Sequence, residues 1–272
     1  MAPAKSKGEW DRLSRAAQPP LSTRNVFAEG AHAYASARPG YPDALFEWLA
    51  RQCSERRSAW DCATGNGQAA RGLAARFERV CASDVSFEQV RNATPSRGVA
   101  YLVCAAERTP FAGGTFDLVA VAQALHWLDL SRFWSEVVRI ARPGALFAAW
   151  GYDGLESTPR VDERVVSPFL EIVAPFWASN NRLLWDGYRD EDIDFPFERM
   201  EVPGFALELD WSGAQLLAYI ATWSAYMRCL SDPIAGQRLR AHLAVAQSLL
   251  DPNERLRVRM PITLVAARIR AR

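Results

Sequence analysis

Apolar residues in this chain fall in short unbroken blocks, and amphipathic stretches separate the blocks. The blocks are 58-SAWDCA-63, 79-RVCASD-84, 99-VAYLVC-104, 116-FDLVAVA-122 and 145-ALFAAW-150. Between them, 67-GQAARGLAARF-77, 86-SFEQVRNA-93 and 131-SRFWSEVVRIA-141 carry apolar residues at helical spacing. Ahead of the first block, 42-PDALFEWLARQC-53 opens with proline in a first-turn position. It sets Leu45, Trp48 and Leu49 on one face, which predicts a helix. Blocks apolar on both faces, alternating with helices, predict a doubly wound Rossmann-like α/β layer around a parallel sheet.

After Trp150 the rhythm breaks. Residues 158–190 hold Phe169, Phe176, Trp177, Trp185 and Tyr188 with little period-2 pattern, which predicts a helical insertion over the sheet. A strand is expected at 204-GFALELDW-211, then a helix over 212-SGAQLLAYIATWSAYM-227 with Ser212 as its N-cap. A final strand is expected at 261-PITLVAARI-269. The chain thus divides into a polar, flexible N-terminal arm (1–25), an α/β core (26–154), a helical lid or substrate insertion (155–203) and a C-terminal segment that completes the sheet (204–272).

Composition narrows the picture. The 272 residues suffice for one large core with a small lid. A formal net charge of +1 creates no field that argues for nucleic acid or a membrane surface. Lys5 and Lys7 are the only lysines, so nearly all positive charge is arginine. The cysteines Cys53, Cys62, Cys81, Cys104 and Cys229 are odd in number and lack a C-x-x-C, as expected of reduced thiols in a cytoplasmic protein without a metal site. The first 25 residues lack an apolar core of a secretory signal, and no apolar run is long enough to span a membrane.

The chemistry-bearing stretch is 61-DCATGNGQAA-70. Gly65, Gly67 and Ala70 satisfy G-x-G-x-x-[GA] between an expected strand and an expected helix, and Asp84 ends the next strand. Such a bend lets backbone approach a ligand, while the second acid takes a ribose diol. A plain tight turn would use the same residues, so the ligand has to be argued. A dinucleotide puts its pyrophosphate on the helix N-terminus, where Asp61 would repel it. S-adenosylmethionine brings an ammonium and a sulfonium, which nearby acids attract. Asp61 therefore tilts the choice toward the sulfonium ligand.

With these residues in place, the chain resembles the class I S-adenosylmethionine-dependent methyltransferases, in the small-molecule branch related to trans-aconitate methyltransferases. The stretches that carry the resemblance are 61-DCATGNGQ-68, 84-DVS-86 with Gln89, 106-AERTPF-111, 116-FDLV-119, 123-QALHW-127, 139-RIARPG-144 and, upstream, 34-YASARPGYP-42. The specific motifs cover about residues 27–155. The resemblance implies a seven-stranded sheet with its last strand antiparallel. It also implies that Ala63, Gly65 and Gly67 shape the turn under the methionine end, with Asp61 supporting the loop. Asp84 would take the ribose hydroxyls, Val85 would lie against the adenine, and Ala106 and Glu107 would meet its edge. Gln123 would face the methionine moiety, and Tyr34 and Arg38 would close over the cofactor. Departures from the family pattern are Ala63 at a usual glycine, Ala105 at a frequent acid, and Ala145 at a common second glycine.

Methyl transfer from a sulfonium is an in-line displacement governed by alignment and electrostatics. A base is needed only for a weakly acidic hydroxyl or a protonated amine. His126, at the end of the fourth expected strand, is the candidate catalytic residue, either as a base or as a group that orients its loop, and Trp127 is a candidate wall of the acceptor site. His32 lies in the N-terminal segment, and His242 reads as structure in a helix rich in Ala and Leu. Trp177, Trp185, Trp211, Trp223, Tyr226 and Arg228 fall where a roof would form; most such aromatics end as helix core, yet a pocket of them with one arginine suits a planar or acidic molecule. The loop 123-QALHW-127 differs from the Asn/Asp-Pro-Pro-aromatic loop of amino-methylating nucleic-acid enzymes. A small-molecule acceptor with a hydroxyl or carboxylate oxygen is therefore expected. The alternatives are an NAD(P)-dependent oxidoreductase and a non-catalytic S-adenosylmethionine-binding protein.

Overall fold

The structure, a computed structural model, describes residues 38–251 and 253–270. The expected arm at 1–25, together with His32 and Tyr34, lies outside the described residues. Helix α1 (Asp43–Gln52) leads into β1 (Ser58–Cys62), α2 (Gln68–Ala74), β2 (Arg79–Asp84), α3 (Phe87–Arg91) and β3 (Val99–Val103). Strand β4 (Phe116–Ala122), α4 (Leu130–Ile140) and β5 (Ala141–Tyr152) follow. With β6 (Phe205–Ser212) and β7 (Arg255–Arg268), they form a seven-stranded sheet of order β3-β2-β1-β4-β5-β7-β6. Only β7 runs antiparallel to its neighbours β5 and β6. This is the Rossmann-like sheet that the blocks of the sequence predict, with the antiparallel last strand that the family resemblance implies.

Every residue of β1 is buried, and β4 is buried up to its last residue, because helices cover both faces. On one face Leu45, Phe46, Leu49 and Leu73 pack on β1, β4 and Trp150 of β5. On the other, Trp60, Phe116, Phe133, Trp134 and Phe147 form an aromatic core. The strand order reverses between β1 and β4, so the crevice at their carboxyl ends is where an open α/β sheet accepts a ligand.

The insertion splits in two. Its first half runs through a π-helical segment, Asp162–Val166, into α5 (Ser167–Val173). That half packs with α7 (Gly213–Ala221), α8 (Ser224–Ser231) and α9 (Pro233–Leu249) in a cluster containing Phe169, Trp211, Tyr219, Trp223 and Tyr226. The second half starts with α6 (Asn181–Trp185) and returns to the sheet. There Tyr188 and Ile193 join the aromatic core, and Trp134 Nε1 donates to the Ile193 carbonyl at 3.0 Å.

Two elements differ from their sequence patterns. The helix expected over 212–227 is capped by Ser212 in a capping box with Gln215, but it breaks at Thr222 and Trp223, where Trp223 turns extended (ψ 133°). The break seats the Trp223 ring against Trp177 and Tyr219, with centroids 5.9 and 6.0 Å away. Strand β7 begins at Arg255 and not at 261, since 255-RLRVRM-260 alternates exposed arginines with buried Leu256, Val258 and Met260. Among the described residues, no helix is long and apolar enough to cross a membrane, and no His/Cys/Asp/Glu group could hold a metal. All five cysteines are free thiols.

Candidate active site

The bend after β1 is held in left-handed backbone at Ala63 (φ 53°), Gly65 (φ 57°) and Gly67 (φ 87°). Glycine adopts this region freely; alanine does so at a cost. At Gly67 space is limiting as well as torsion, because a Cβ would stand 2.2 Å from Tyr101 Oη. Beneath the bend, Asp61 is fully buried. The Thr64 hydroxyl donates to Asp61 Oδ2 at 2.5 Å, while Oδ1 has no partner among the described residues. Burial pushes the Asp61 carboxyl up to about 7, against the downward pull of Thr64 and of the Ala70 N–H. A buried acid with an unanswered oxygen is a place for a cation.

Asp84, at the end of β2, braces the same bend. Its Oδ2 accepts the Gly65 N–H at 2.9 Å and its Oδ1 accepts the Ser86 N–H at 2.8 Å. Burial raises its carboxyl above the usual range, and the bonds from Ser86 and Gly65 draw it back. Around it, Val85, Phe87 and Val103 are 47%, 61% and 46% exposed, an apolar rim that suits a flat ring. Gln89 is buried behind the loop, where its N–H caps onto the Ser86 hydroxyl. Ala106 is buried, and Glu107 Oε1 accepts the Asp129 N–H at 3.0 Å, tying its loop to the start of α4.

At the end of β4, Gln123 is also left-handed (φ 57°), its N–H bonded to the Trp150 carbonyl at 2.7 Å. Its side chain reaches toward the Tyr152 carbonyl (Nε2 at 3.5 Å) across Gly151, where a Cβ would come within 3.0 Å of Gln123 Oε1. Three residues on, His126 sits in the single 3-10 turn Leu125–Trp127 and is buried. Burial lowers its imidazole to about 3, so the ring is neutral. His126 Nδ1 lies 2.8 Å from the hydroxyl of fully buried Tyr188. In the tautomer in which the Tyr188 hydroxyl donates to Nδ1, the imidazole proton is on Nε2. The Asn180 amide donates to the His126 carbonyl at 2.7 Å, and Trp127 lies beside the ring at 5.2 Å.

The candidate roof is a group of packed tryptophans. Trp177 packs against Trp185 and Trp223, with centroids at 5.5 and 5.9 Å. Arg38 joins roof to floor: its Nε donates to Thr222 Oγ1 at 3.3 Å, and its carbonyl accepts Gln68 Nε2 at 3.3 Å. Trp211, Trp223 and Tyr226 are all buried in the helix cluster, with Trp177 packed against it. His242 packs there too, its Nε2 3.0 Å from the Val165 carbonyl and its ring 4.5 Å from Phe169.

Asp61, Ala63, Gly65, Gly67 and Asp84 are thus gathered at one bend, with Val85, Gln89 and Ala106 beside it. Gln123, His126 and Trp127 stand at the next strand end, and Glu107 is turned to loop bracing. Thr64, Asn180 and Tyr188 enter this constellation unannounced by motif reading. Thr64 stands three residues from an acid inside a turn, which is a readable signal; Tyr188 and Asn180 reach His126 only through the return of the insertion.

The donor set suits a ligand with a cation for Asp61, a diol for Asp84 and a flat apolar ring for the rim. It suits a pyrophosphate poorly, because a carboxylate lies under the bend.

Comparison with known proteins agrees with this geometry. Residues 60–149 match the methyltransferase domain family. A Dictyostelium discoideum protein described as a methyltransferase is 31% identical over 211 residues, covering 76% of this chain and 80% of that one. A methyltransferase of Aspergillus candidus is 34% identical over 185 residues, covering 58% of this chain and 57% of that one. A solved structure from Anaeromyxobacter dehalogenans, described as a type II methyltransferase, shares the fold with a TM-score of 0.75 at 38% identity, covering 86% of this chain and 99% of that chain.

Proposed function

The chain belongs to the class I S-adenosylmethionine-dependent methyltransferases, and on that premise we propose that it methylates an oxygen, hydroxyl or carboxylate, of a small molecule. The observation that carries the cofactor assignment is the unanswered Asp61 oxygen beneath a left-handed bend braced by Asp84. When bound, S-adenosylmethionine supplies an electrophilic methyl group on its sulfonium. Asp61 would answer the positive charge of its methionine end, Asp84 its ribose, and the rim of Val85, Phe87 and Val103 its ring.

The small-molecule reading rests on the roof. Trp177 packs on Trp185 and Trp223, and Asn180, three residues on, holds the His126 carbonyl, a setting that suits a compact acceptor better than a nucleic-acid track. The oxygen reading rests on His126. A neutral imidazole whose Nδ1 is engaged by Tyr188 offers an Nε2–H, which positions an acceptor by donating a hydrogen bond. An acceptor that already presents a nucleophilic oxygen needs no stronger base.

Calorimetric titration with S-adenosylmethionine and with NADH tests the first step: the sulfonium ligand binds and the nicotinamide does not. A radiolabelled methyl-transfer screen then follows, with phenols and carboxylic acids on one side and RNA, DNA and protein on the other. Label confined to polymers overturns the small-molecule reading, and label confined to amines overturns the oxygen reading.

A further inference from the structure

Helix α8 carries a charge that nothing in the described structure answers. Both Nη atoms of Arg228 are buried and have no hydrogen-bond partner among the described residues. The side chain has one bond, from Nε to the Ser224 carbonyl at 3.3 Å. That bond folds the side chain back along α8 toward its first residues, the end at which Trp223 meets Trp177. Burial holds the guanidinium below its ordinary range, with no acid to offset it. A guanidinium whose Nη atoms are out of solvent and unpaired destabilises the fold. A second donor is stranded on the ring that packs against Trp223, since the buried Trp177 Nε1 also lacks an acceptor. Arg38 ties this end of the roof, through Thr222, to the helix that follows the glycine bend.

We propose that Arg228, with Trp177 Nε1 as second donor and Trp223 as a flat wall, anchors a carboxylate of the acceptor, so that the substrate is a planar carboxylic acid. The proposal rests on the methyltransferase reading above and names the acceptor class for it. The chemistry favours a carboxylate because a guanidinium presents paired N–H groups in a fork that matches two carboxylate oxygens. The surrounding indoles favour an acceptor that lies flat. The anchored carboxylate is distinct from the oxygen that is methylated, since pairing with arginine withdraws the charge a nucleophile needs.

The test uses the full chain saturated with S-adenosylhomocysteine and three acid/amide probe pairs: benzoate and benzamide, cinnamate and cinnamamide, fumarate and fumaramide. Affinity is read by ligand-observed NMR, and thermal unfolding is followed without any ligand. At least one acid binds the wild type roughly tenfold tighter than its amide, as a charge-assisted pair should. Arg228→Gln abolishes that preference, Arg228→Lys keeps part of it, and neither changes S-adenosylhomocysteine affinity more than about twofold. Without ligand, Arg228→Met unfolds at a higher temperature than wild type, because an unpaired buried charge is gone. No acid bound, amides bound as well as acids, a preference that survives Arg228→Gln, or a lowered unfolding temperature for Arg228→Met would each overturn the assignment. Failure of S-adenosylhomocysteine to bind in these samples removes the methyltransferase reading itself, and the proposal with it. Normal binding without an acid preference removes Arg228 alone.

Discussion

The bend after β1 and the roof above it are organised in opposite ways. At the bend almost every polar group is answered by main chain or by a short side chain: Asp84 holds two N–H groups and Thr64 holds one oxygen of Asp61. What is left over is acceptor oxygen, Oδ1 of Asp61 and Oδ1 of Asn66. In the roof, edge-on and tilted ring contacts do the holding, and what is left over is a set of N–H donors on Arg228 and Trp177. Unanswered acceptors thus lie at the bend, and unanswered donors lie in the roof. On the proposed reading, this difference would let one crevice separate a cationic donor from an anionic acceptor.

The contrast can be broken at several points. The largest effect is expected at His126, which joins the two halves through Asn180 and Tyr188. His126→Ala should slow methyl transfer roughly 100-fold, the scale for losing a positioned donor, with cofactor affinity unchanged in calorimetry. The wild-type rate should show no His126 ionisation near pH 6.5, since burial keeps the ring neutral down to about 3. Asp84→Ala comes next. It releases the Gly65 and Ser86 N–H groups and should weaken S-adenosylmethionine binding by about 1.5–3 kcal/mol; unchanged affinity would remove Asp84 from the ribose. The smallest effect sharpens the comparison. Ala63→Gly relieves a left-handed alanine and should raise chemical stability by about 0.5–1 kcal/mol in denaturant titration, leaving the roof untouched.

Most of the floor was legible in the chain. Continuous apolar blocks located β1, β2, β3, β4 and the core of β5, since a strand buried on both faces leaves an uninterrupted run. Asp61, Gly65, Gly67 and Asp84 followed, because a bend between such strands leaves few positions for ligand contact. The start of β7 was hidden, as its outward arginines read as polar chain until the two-residue period is noticed. The break at Trp223 was hidden for another reason: the local pattern from Ser212 to Met227 is helical, and a tertiary contact with Trp177 overrides it. Tyr188 is the clearest case. Nothing within 60 residues of His126 announces it, and only the return of the insertion to the sheet brings its hydroxyl to Nδ1.

The central claim is that an ionisable acid waits under the bend for a cation. Burial raises the Asp61 carboxyl from 3.8 to about 7 in the folded chain. Across that window the unfolded chain loses the proton while the folded chain keeps it, so the contribution of Asp61 to stability is full below about 4 and falls as pH rises through about 7. A bound cation favours the ionised form, so affinity for S-adenosylmethionine should weaken about tenfold per pH unit below about 7. The decisive measurement is calorimetry of S-adenosylmethionine binding at pH 6 in two buffers of different ionisation enthalpy. Close to one proton should leave the wild type on binding, and none should leave Asp61→Asn. Binding that releases no proton from the wild type, or the same number from both proteins, contradicts the account.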